Sequence, residues 1–176
     1  MADPISIRRV NRFGEHEISG LCDVLVDCVE GGASVSFMLP MTRAKAENFW
    51  RGVAASAERG ERVVLVAEDE TGAIIGTVQL ITNLPENQPH RADVAKMLVR
   101  RSARRRGVGS ALLRAAEQQA IALGRTLLVL DTVTGGDAER MYARENWQVC
   151  GQIPCYALWP NGEPCSTTVF YKMLSR

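Results

Sequence analysis

Residues 92–131 read ADVAKMLVRRSARRRGVGSALLRAAEQQAIALGRTLLVLD. The stretch opens with a strand pattern over residues 92–99. An apolar repeat of three and four residues follows over residues 107–123, which is typical of a helix with one buried face. A short apolar strand then covers residues 126–130 and closes on Asp131. A strand, a helix and a second strand in this order predict a right-handed βαβ unit with two parallel strands.

The same two periodicities predict further strands and helices on either side of this unit. The predicted strands cover residues 5–10, 63–67, 74–81, 147–153 and 167–174, and the predicted helices cover residues 14–29, 42–59 and 137–145. Thr42 and Asp137 are expected to cap the helices that begin beside them. The order predicts an α/β fold with a mixed, mostly antiparallel sheet of about seven strands and helices on both faces.

The composition is that of an ordinary globular chain with balanced charge. The 176 residues fit one domain over 1–176, with 46% hydrophobic and 23% charged residues, which argues against disordered and membrane classes. Lys and Arg number 21 against 20 Asp and Glu, so nucleic-acid binding through overall charge is not expected. No apolar run spans a bilayer or resembles a signal peptide, and we expect a cytoplasmic protein without membrane contact.

Cysteine and histidine usage gives no indication of a metal. The five cysteines make an odd number without C-x-x-C spacing, and there are two histidines, so no metal site is predicted. Reduced thiols that pack as small apolar side chains are the simplest interpretation.

The densest chemical signal lies between the first strand and the helix of the βαβ unit, in residues 104–110, RRRGVGS. The first amides of a helix have no partner inside the helix and carry the positive end of its dipole. Glycines let a ligand approach these amides closely, and the arginines add charge for phosphate groups. The pattern predicts a pyrophosphate site, with a merely solvated basic face as the alternative.

Two familiar phosphate-binding patterns do not fit this loop. It lacks the G-x-x-x-x-G-K-[ST] of a Walker loop, and Ser110-Ala111-Leu112 after Gly109 break the G-x-G-x-x-G of a dinucleotide fold. Phosphate binding without metal and without phosphoryl transfer favours a group carrier such as coenzyme A.

Arg104-x-x-Gly107-x-Gly109, after a strand that ends in Met97-Leu98-Val99, resembles the [QR]-x-x-G-x-[GA] acyl-CoA motif of the GNAT superfamily of N-acetyltransferases. The resemblance implies a GNAT fold and acetyl-CoA as co-substrate. Within the superfamily, residues 31–38, 90–96 and 128–132 are similar to the tabtoxin-resistance acetyltransferases, which implies a small amine acceptor and a role in antibiotic or toxin resistance.

The resemblance also implies where acetyl-CoA binds. Backbone groups of Met97 and Val99 would pair with the pantetheine arm, and the Val99 amide would donate to the thioester oxygen. The pyrophosphate would lie on the loop amides. The full set of implied acetyl-CoA-binding residues is Met97, Val99, Arg104, Arg105, Arg106, Gly107, Val108, Gly109 and Ser110.

Three catalytic residues are implied in the same way. Tyr142 would protonate the leaving thiolate, and Asp93 and Asp131 would bind the acceptor ammonium, with one of them taking its proton directly or through water. Phe37 and Met38, in an apolar loop, are expected to form a wall of the acceptor site. The alternatives are structural: a core tyrosine, a loop-capping Asp131, and an Asp93 that binds a backbone amide.

The predicted activity is direct transfer of an acetyl group from acetyl-CoA to the amine of a small, amino-acid-like, toxin or antibiotic molecule in a ternary complex. Acetylation of a protein N-terminus or lysine is the first alternative, and a non-catalytic acyl-CoA-sensing module is the second. A homodimer stays open, since members of the superfamily are often dimers.

Overall fold

The computed structural model describes residues 5–175, which form a seven-stranded sheet and four α-helices. The strands are β1 (Ser6–Arg9), β2 (Arg62–Glu68), β3 (Ile74–Ile81), β4 (Arg91–Val99), β5 (Leu127–Val133), β6 (Gln148–Leu158) and β7 (Pro164–Met173). The helices are α1 (Glu15–Glu30), α2 (Arg43–Glu58), α3 (Val108–Ala122) and α4 (Asp137–Arg144), with a 3₁₀ turn at Arg101–Ala103. Among these residues, no helix is long and apolar enough to cross a membrane.

The sheet order is β1-β2-β3-β4-β5-β7-β6. Only β4 and β5 are parallel, and α3 connects them, so the predicted βαβ unit and the mixed, mostly antiparallel sheet are confirmed. The other neighbouring strands pair antiparallel.

Each face of the sheet has its own core, because helices cover both faces. One core holds the apolar sides of α1 and α2, including the fully buried Trp50, together with residues of β2, β3 and β4 such as Leu98. The other holds α3 and Tyr142 of α4 around Phe170. The predicted arrangement of helices on both faces is confirmed.

Three predictions about local structure are wrong. Gly136, with extended backbone, is the N-cap of α4, so Asp137 is its first helical residue rather than its cap. β5 does not close on Asp131 but continues to Val133. The last two strands are longer than predicted and form a hairpin whose strands end at Leu158 and begin at Pro164.

The middle strands shape the centre of the molecule. β4 and β5 pair only from Arg91 to Asp93 and from Leu127 to Val129, and they separate beyond that point. On its other edge β4 carries a bulge against β3, where Lys96 adopts a positive φ of 51°. The gap and the bulge lie on the same strand, directly before the arginine-rich loop.

Candidate active site

The arginine-rich loop folds so that a row of amides faces outward from the start of α3. Arg105 and Gly107 both have left-handed backbone, with φ of 60° and 81°. The first helical hydrogen bond runs from the Ala111 amide to the Gly107 carbonyl at 3.0 Å. The amides of residues 108–110 come before this bond and are free for an anion, as the sequence predicts for a helix start.

The arginines of the loop do not all point the same way. Arg104 Nε donates to the Val99 carbonyl at 3.2 Å, and its other end lies 3.9 Å from Cys28 Sγ. Arg104 therefore fastens the loop to the end of β4. Arg105 and Arg106 are exposed.

The two glycines of the motif, Gly107 and Gly109, are needed for different structural reasons. Gly107 supplies the left-handed turn before α3. A Cβ at Gly109 would lie 2.8 Å from Met141 Sδ, so glycine there lets α4 approach the first turn of α3. Val108 between them is buried in the core, so only its backbone is available to a ligand.

The backbone of β4 opens toward the gap beside β5. The Arg100 amide donates to the Ile75 carbonyl of β3 at 2.9 Å. Because successive residues of a regular strand direct their backbone groups to opposite edges, the amide of Val99 faces away from β3, toward the unpaired edge. Met97 lies next to Lys96 in the bulge, where this alternation is interrupted.

Tyr142 is buried at one side of this gap. Its ring lies 5.9 Å from the ring of Trp147 and 5.7 Å from that of Phe170. Within residues 5–175, its hydroxyl has no hydrogen-bond partner. Burial raises the pKa of the phenol, and the charge of Asp131 raises it further. The group therefore stays neutral at physiological pH, as a proton donor must.

Two carboxylates lie on the opposite face of the sheet from Tyr142. Val94, Leu128 and Leu130 belong to the α3 core, so the alternation along each strand turns Asp93 and Asp131 to the face of α1 and α2. We call this side, with Phe37, Phe49, Asp93, Lys96, Asp131 and Thr167, the acceptor face.

The environments of the two carboxylates differ. Asp131 is exposed and accepts a hydrogen bond from Thr167 Oγ1 at 3.0 Å. Asp93 is half-buried and pairs with Arg91 Nη1 at 2.7 Å. Burial raises the pKa of Asp93, Arg91 opposes the shift, and the charge of Asp131 adds to it. Asp93 therefore holds a proton more readily than an ordinary aspartate does, as a base that accepts a proton needs.

Lys96 is the residue of this face that sequence reasoning missed. Its Nζ donates to Ser36 Oγ at 2.9 Å and lies 5.8 Å from the centre of the Phe49 ring. Burial lowers the pKa of its ammonium, while Asp131 opposes that shift and Arg62 adds to it.

A signal for Lys96 was present in the strand pattern. Strict alternation would place Lys96 on one face with Val94 and Leu98. A lysine between two core residues indicates a bulge or a change of face. In the structure, Val94 and Leu98 do lie in different cores.

The loop between α1 and α2 covers the acceptor face. Phe37 is half-buried and packs edge-on against Phe49, with ring centres 5.1 Å apart. Met38 is 40% exposed. Phe37 thus lies beside the acceptor face, while Met38 lies toward solvent.

The hairpin of β6 and β7 holds this loop from the other side. Ser34 Oγ donates to the Leu158 carbonyl at 2.7 Å, and the Leu39 amide donates to the Pro160 carbonyl at 3.1 Å. Two separate segments, the loop between α1 and α2 and the β6–β7 hairpin, therefore meet beside the acceptor face.

The comparison with known families agrees with this geometry. The geometry combines a strand with an unpaired edge, an amide-lined loop after that strand and a parallel strand beyond the helix. The model described as "Acetyltransferase (GNAT) family" matches residues 33–147. The chain belongs to the GNAT family. A relative in Azospirillum brasilense, an uncharacterized N-acetyltransferase of the hisH-hisA intergenic region, is 30% identical over 129 residues, or 72% of this chain and 74% of that protein.

Solved GNAT-like structures share the fold along nearly the whole chain. An N-acetyltransferase of Staphylococcus aureus Mu50 has a TM-score of 0.80 at 17% identity, over 98% of this chain and 99% of that one. YncA of Salmonella typhimurium, whose structure contains its cofactor acetyl-CoA, has a TM-score of 0.78 at 16% identity, over 98% and 95%. At these identities the two structures support the fold alone.

The family match confirms the predicted enzyme class, an acetyl-CoA-dependent N-acetyltransferase. The narrower resemblance to tabtoxin-resistance enzymes stays a prediction. Within residues 5–175, no cluster of three metal-ligating side chains is present.

Proposed function

We propose that this GNAT enzyme transfers the acetyl group of acetyl-CoA directly to the amine of a small molecule in a ternary complex. The observation that carries the proposal is the convergence on one gap in the sheet. The unpaired edge of β4 adjoins an amide-lined loop, and two carboxylates lie on the side of the gap that the loop between α1 and α2 covers.

The donor half of the site uses backbone groups. The amides of residues 108–110 bind the pyrophosphate at the start of α3, where the helix dipole favours an anion. Arg105 and Arg106 add positive charge beside them. Met97 and Val99 present their backbone groups to the pantetheine arm as a neighbouring strand would.

The acceptor half uses side chains. Asp93 and Asp131 hold the acceptor ammonium, and Asp93 takes its proton directly or through one water. The neutral amine then forms the new N–C bond to the acetyl carbonyl carbon while the Val99 amide stabilises the oxygen charge. As the C–S bond breaks, Tyr142 gives its phenolic proton to the thiolate, and the second proton that the nitrogen loses on becoming an amide restores the phenol through solvent.

The segments that meet beside the acceptor face favour a small acceptor over a protein. The wall around Phe37 and the hairpin at Leu158 and Pro160 restrict the approach of a folded partner. An amino-acid-like molecule, including a toxin or an antibiotic with a free amine, is of suitable size. Such chemistry fits a role in resistance and a cytoplasmic location.

A screen for acetyl-dependent thiol release tests the proposal. Purified enzyme is incubated with acetyl-CoA and panels of free amino acids, amine antibiotics, polyamines and peptides, and the products are identified by mass. We expect turnover with members of the small-molecule panels and mass gain of one acetyl group on their amines. Turnover confined to peptides or to protein N-termini would contradict the proposal.

A further inference from the structure

Lys96 differs from two other partly buried cations, because Lys172 pairs with Glu117 at 2.8 Å and Arg91 pairs with Asp93 at 2.7 Å. Arg62 also donates to neutral groups, but it has two of them, Ser56 Oγ and Gln79 Oε1. Within residues 5–175, Lys96 has no carboxylate within 4.0 Å, and its hydrogen-bond partner is the neutral hydroxyl of Ser36. Two of its three N–H donors therefore lack a protein acceptor.

Such an arrangement is costly in the free enzyme. Removing a charge from water without a counter-charge raises the free energy of the folded state. The face of Phe49 compensates part of this cost, since cation–π contacts contribute about 0.5–2 kcal/mol. The bulge that carries Lys96 also requires a positive φ, which is uncommon for a side chain of this kind. Holding the lysine in this position therefore lowers the stability of the folded protein.

The position of Lys96 connects it with the acceptor rather than with the donor phosphates. It lies on β4 before Val99, whereas the amide-lined loop follows the 3₁₀ turn after β4. Its neighbours Ser36 and Phe49 come from the segments that wall the acceptor face. The charge of Asp131 acts on it through space from the same face.

We propose that Lys96 determines acceptor specificity by binding a carboxylate of the acceptor, so that the preferred substrate is an amine that also carries a carboxylate. This inference rests on the proposed function and narrows its substrate class. The ammonium of the acceptor lies against Asp93 and Asp131, and its carboxylate takes the two remaining donors of Lys96. Opposite charges on one face thus recognise both ends of an amino acid.

The first test compares matched acceptors with the wild-type enzyme. Each common L-amino acid is offered as the free acid and as its α-carboxamide. A hydrogen bond between charged groups contributes about 1.5–3 kcal/mol, so we expect kcat/KM to be about 10- to 100-fold higher for the acids that are turned over. Equal kcat/KM for acid and carboxamide would overturn the inference and leave the proposed function intact.

The second test removes the charge. In Lys96→Met, the KM for acid acceptors rises by about 10-fold or more with little change in kcat, and the carboxamides are unaffected. Lys96→Arg retains the preference. Lys172→Met is the matched control, because it removes a lysine that has a carboxylate partner, and it keeps the ratio between acid and carboxamide.

A third readout does not depend on turnover. Without ligand, Lys96→Met has an equal or higher melting temperature than wild type, since it removes a charge without a counter-charge, whereas Lys172→Met melts lower. A lower melting temperature or loss of folding in Lys96→Met would show that the lysine is structural and would overturn the inference. Failure of the proposed function itself shows differently, as turnover confined to peptides or to protein N-termini.

Discussion

The two halves of the site are built by different means. The proposed donor half is a continuous piece of backbone, residues 97–110, with left-handed turns at Arg105 and Gly107 and outward amides at the start of α3. The acceptor half joins side chains from separate segments, with Asp93, Lys96 and Asp131 brought together by the sheet. Backbone groups suit a carrier that many enzymes share, because they are present whatever the side chains are. Side chains suit an acceptor that differs between enzymes, because substitution changes them. Changes in one half should therefore leave the other intact.

The largest effect is expected from Tyr142→Phe, which removes only the acid. Phenylalanine keeps the ring packing beside Trp147 and Phe170, so acetyl-CoA affinity and melting temperature stay near wild type. Loss of a positioned acid lowers kcat by about 10²- to 10⁴-fold. Steady-state kinetics and calorimetric titration with acetyl-CoA measure the two quantities separately. Tyr156→Phe, on exposed β6, is the control. An unchanged kcat in Tyr142→Phe would remove Tyr142 from the mechanism.

A smaller effect, on acetyl-CoA affinity rather than on kcat, is expected from Gly107→Val in the donor half. A β-branched residue resists the left-handed φ of 81° that starts α3, so the amides of residues 108–110 lose their alignment. We expect acetyl-CoA to bind about 10- to 100-fold more weakly, which equals about 1.4 kcal/mol for each factor of ten.

Gly72→Val provides the matched control for this change. Gly72 has a similar φ of 80° in the β2–β3 turn, and a Cβ there meets nothing within 4 Å. It should lose a similar amount of stability and keep its acetyl-CoA affinity. Equal weakening in both variants would mean that the donor site does not depend on the loop geometry.

The third expected effect is a shift in pH dependence from Arg91→Gln. Asp93 acts as a base only when charged, so kcat/KM falls as the pH falls through its pKa. Burial raises the pKa of Asp93 and Arg91 lowers it, so removal of the cation raises it further. The acid limb of the kcat/KM profile should move to higher pH, while acetyl-CoA binding does not change.

Arg114→Gln is the control for this shift, because Arg114 pairs with Glu145 on the outer surface of α3. It should leave the profile in place. A limb that stays fixed or moves to lower pH in Arg91→Gln would assign the proton transfer to a group other than Asp93.

The fold could be predicted to a large extent because its signals are local. The apolar repeats gave the element order, and Thr42 caps α2 as predicted by accepting a hydrogen bond from the Lys45 amide. β6 was predicted too short because almost all of its residues are exposed, so no burial pattern marks its second half. The cap of α4 was misassigned because its N-cap is Gly136, which has no polar side chain to mark the position in the sequence.

The site could be predicted only in the half that is contiguous in sequence. The geometry of the loop follows from its own residues, because Arg105 and Gly107 form the left-handed turn directly before the helix. Lys96 could not be placed, because the bulge that redirects it depends on the pairing of β4 with β3. Its contact with Ser36 joins positions 60 residues apart, which no local pattern indicates.

Hydrogen–deuterium exchange with and without saturating acetyl-CoA tests the division of the site most directly. The account predicts slower exchange in the segment of residues 97–110 on addition of acetyl-CoA, because the amides of Val99 and of residues 108–110 would be bound to the carrier. It also predicts that Tyr142→Phe shows the same protection, since that residue acts on the leaving thiolate and not on binding. Unchanged exchange in residues 97–110, or protection confined to the acceptor face, would contradict the account.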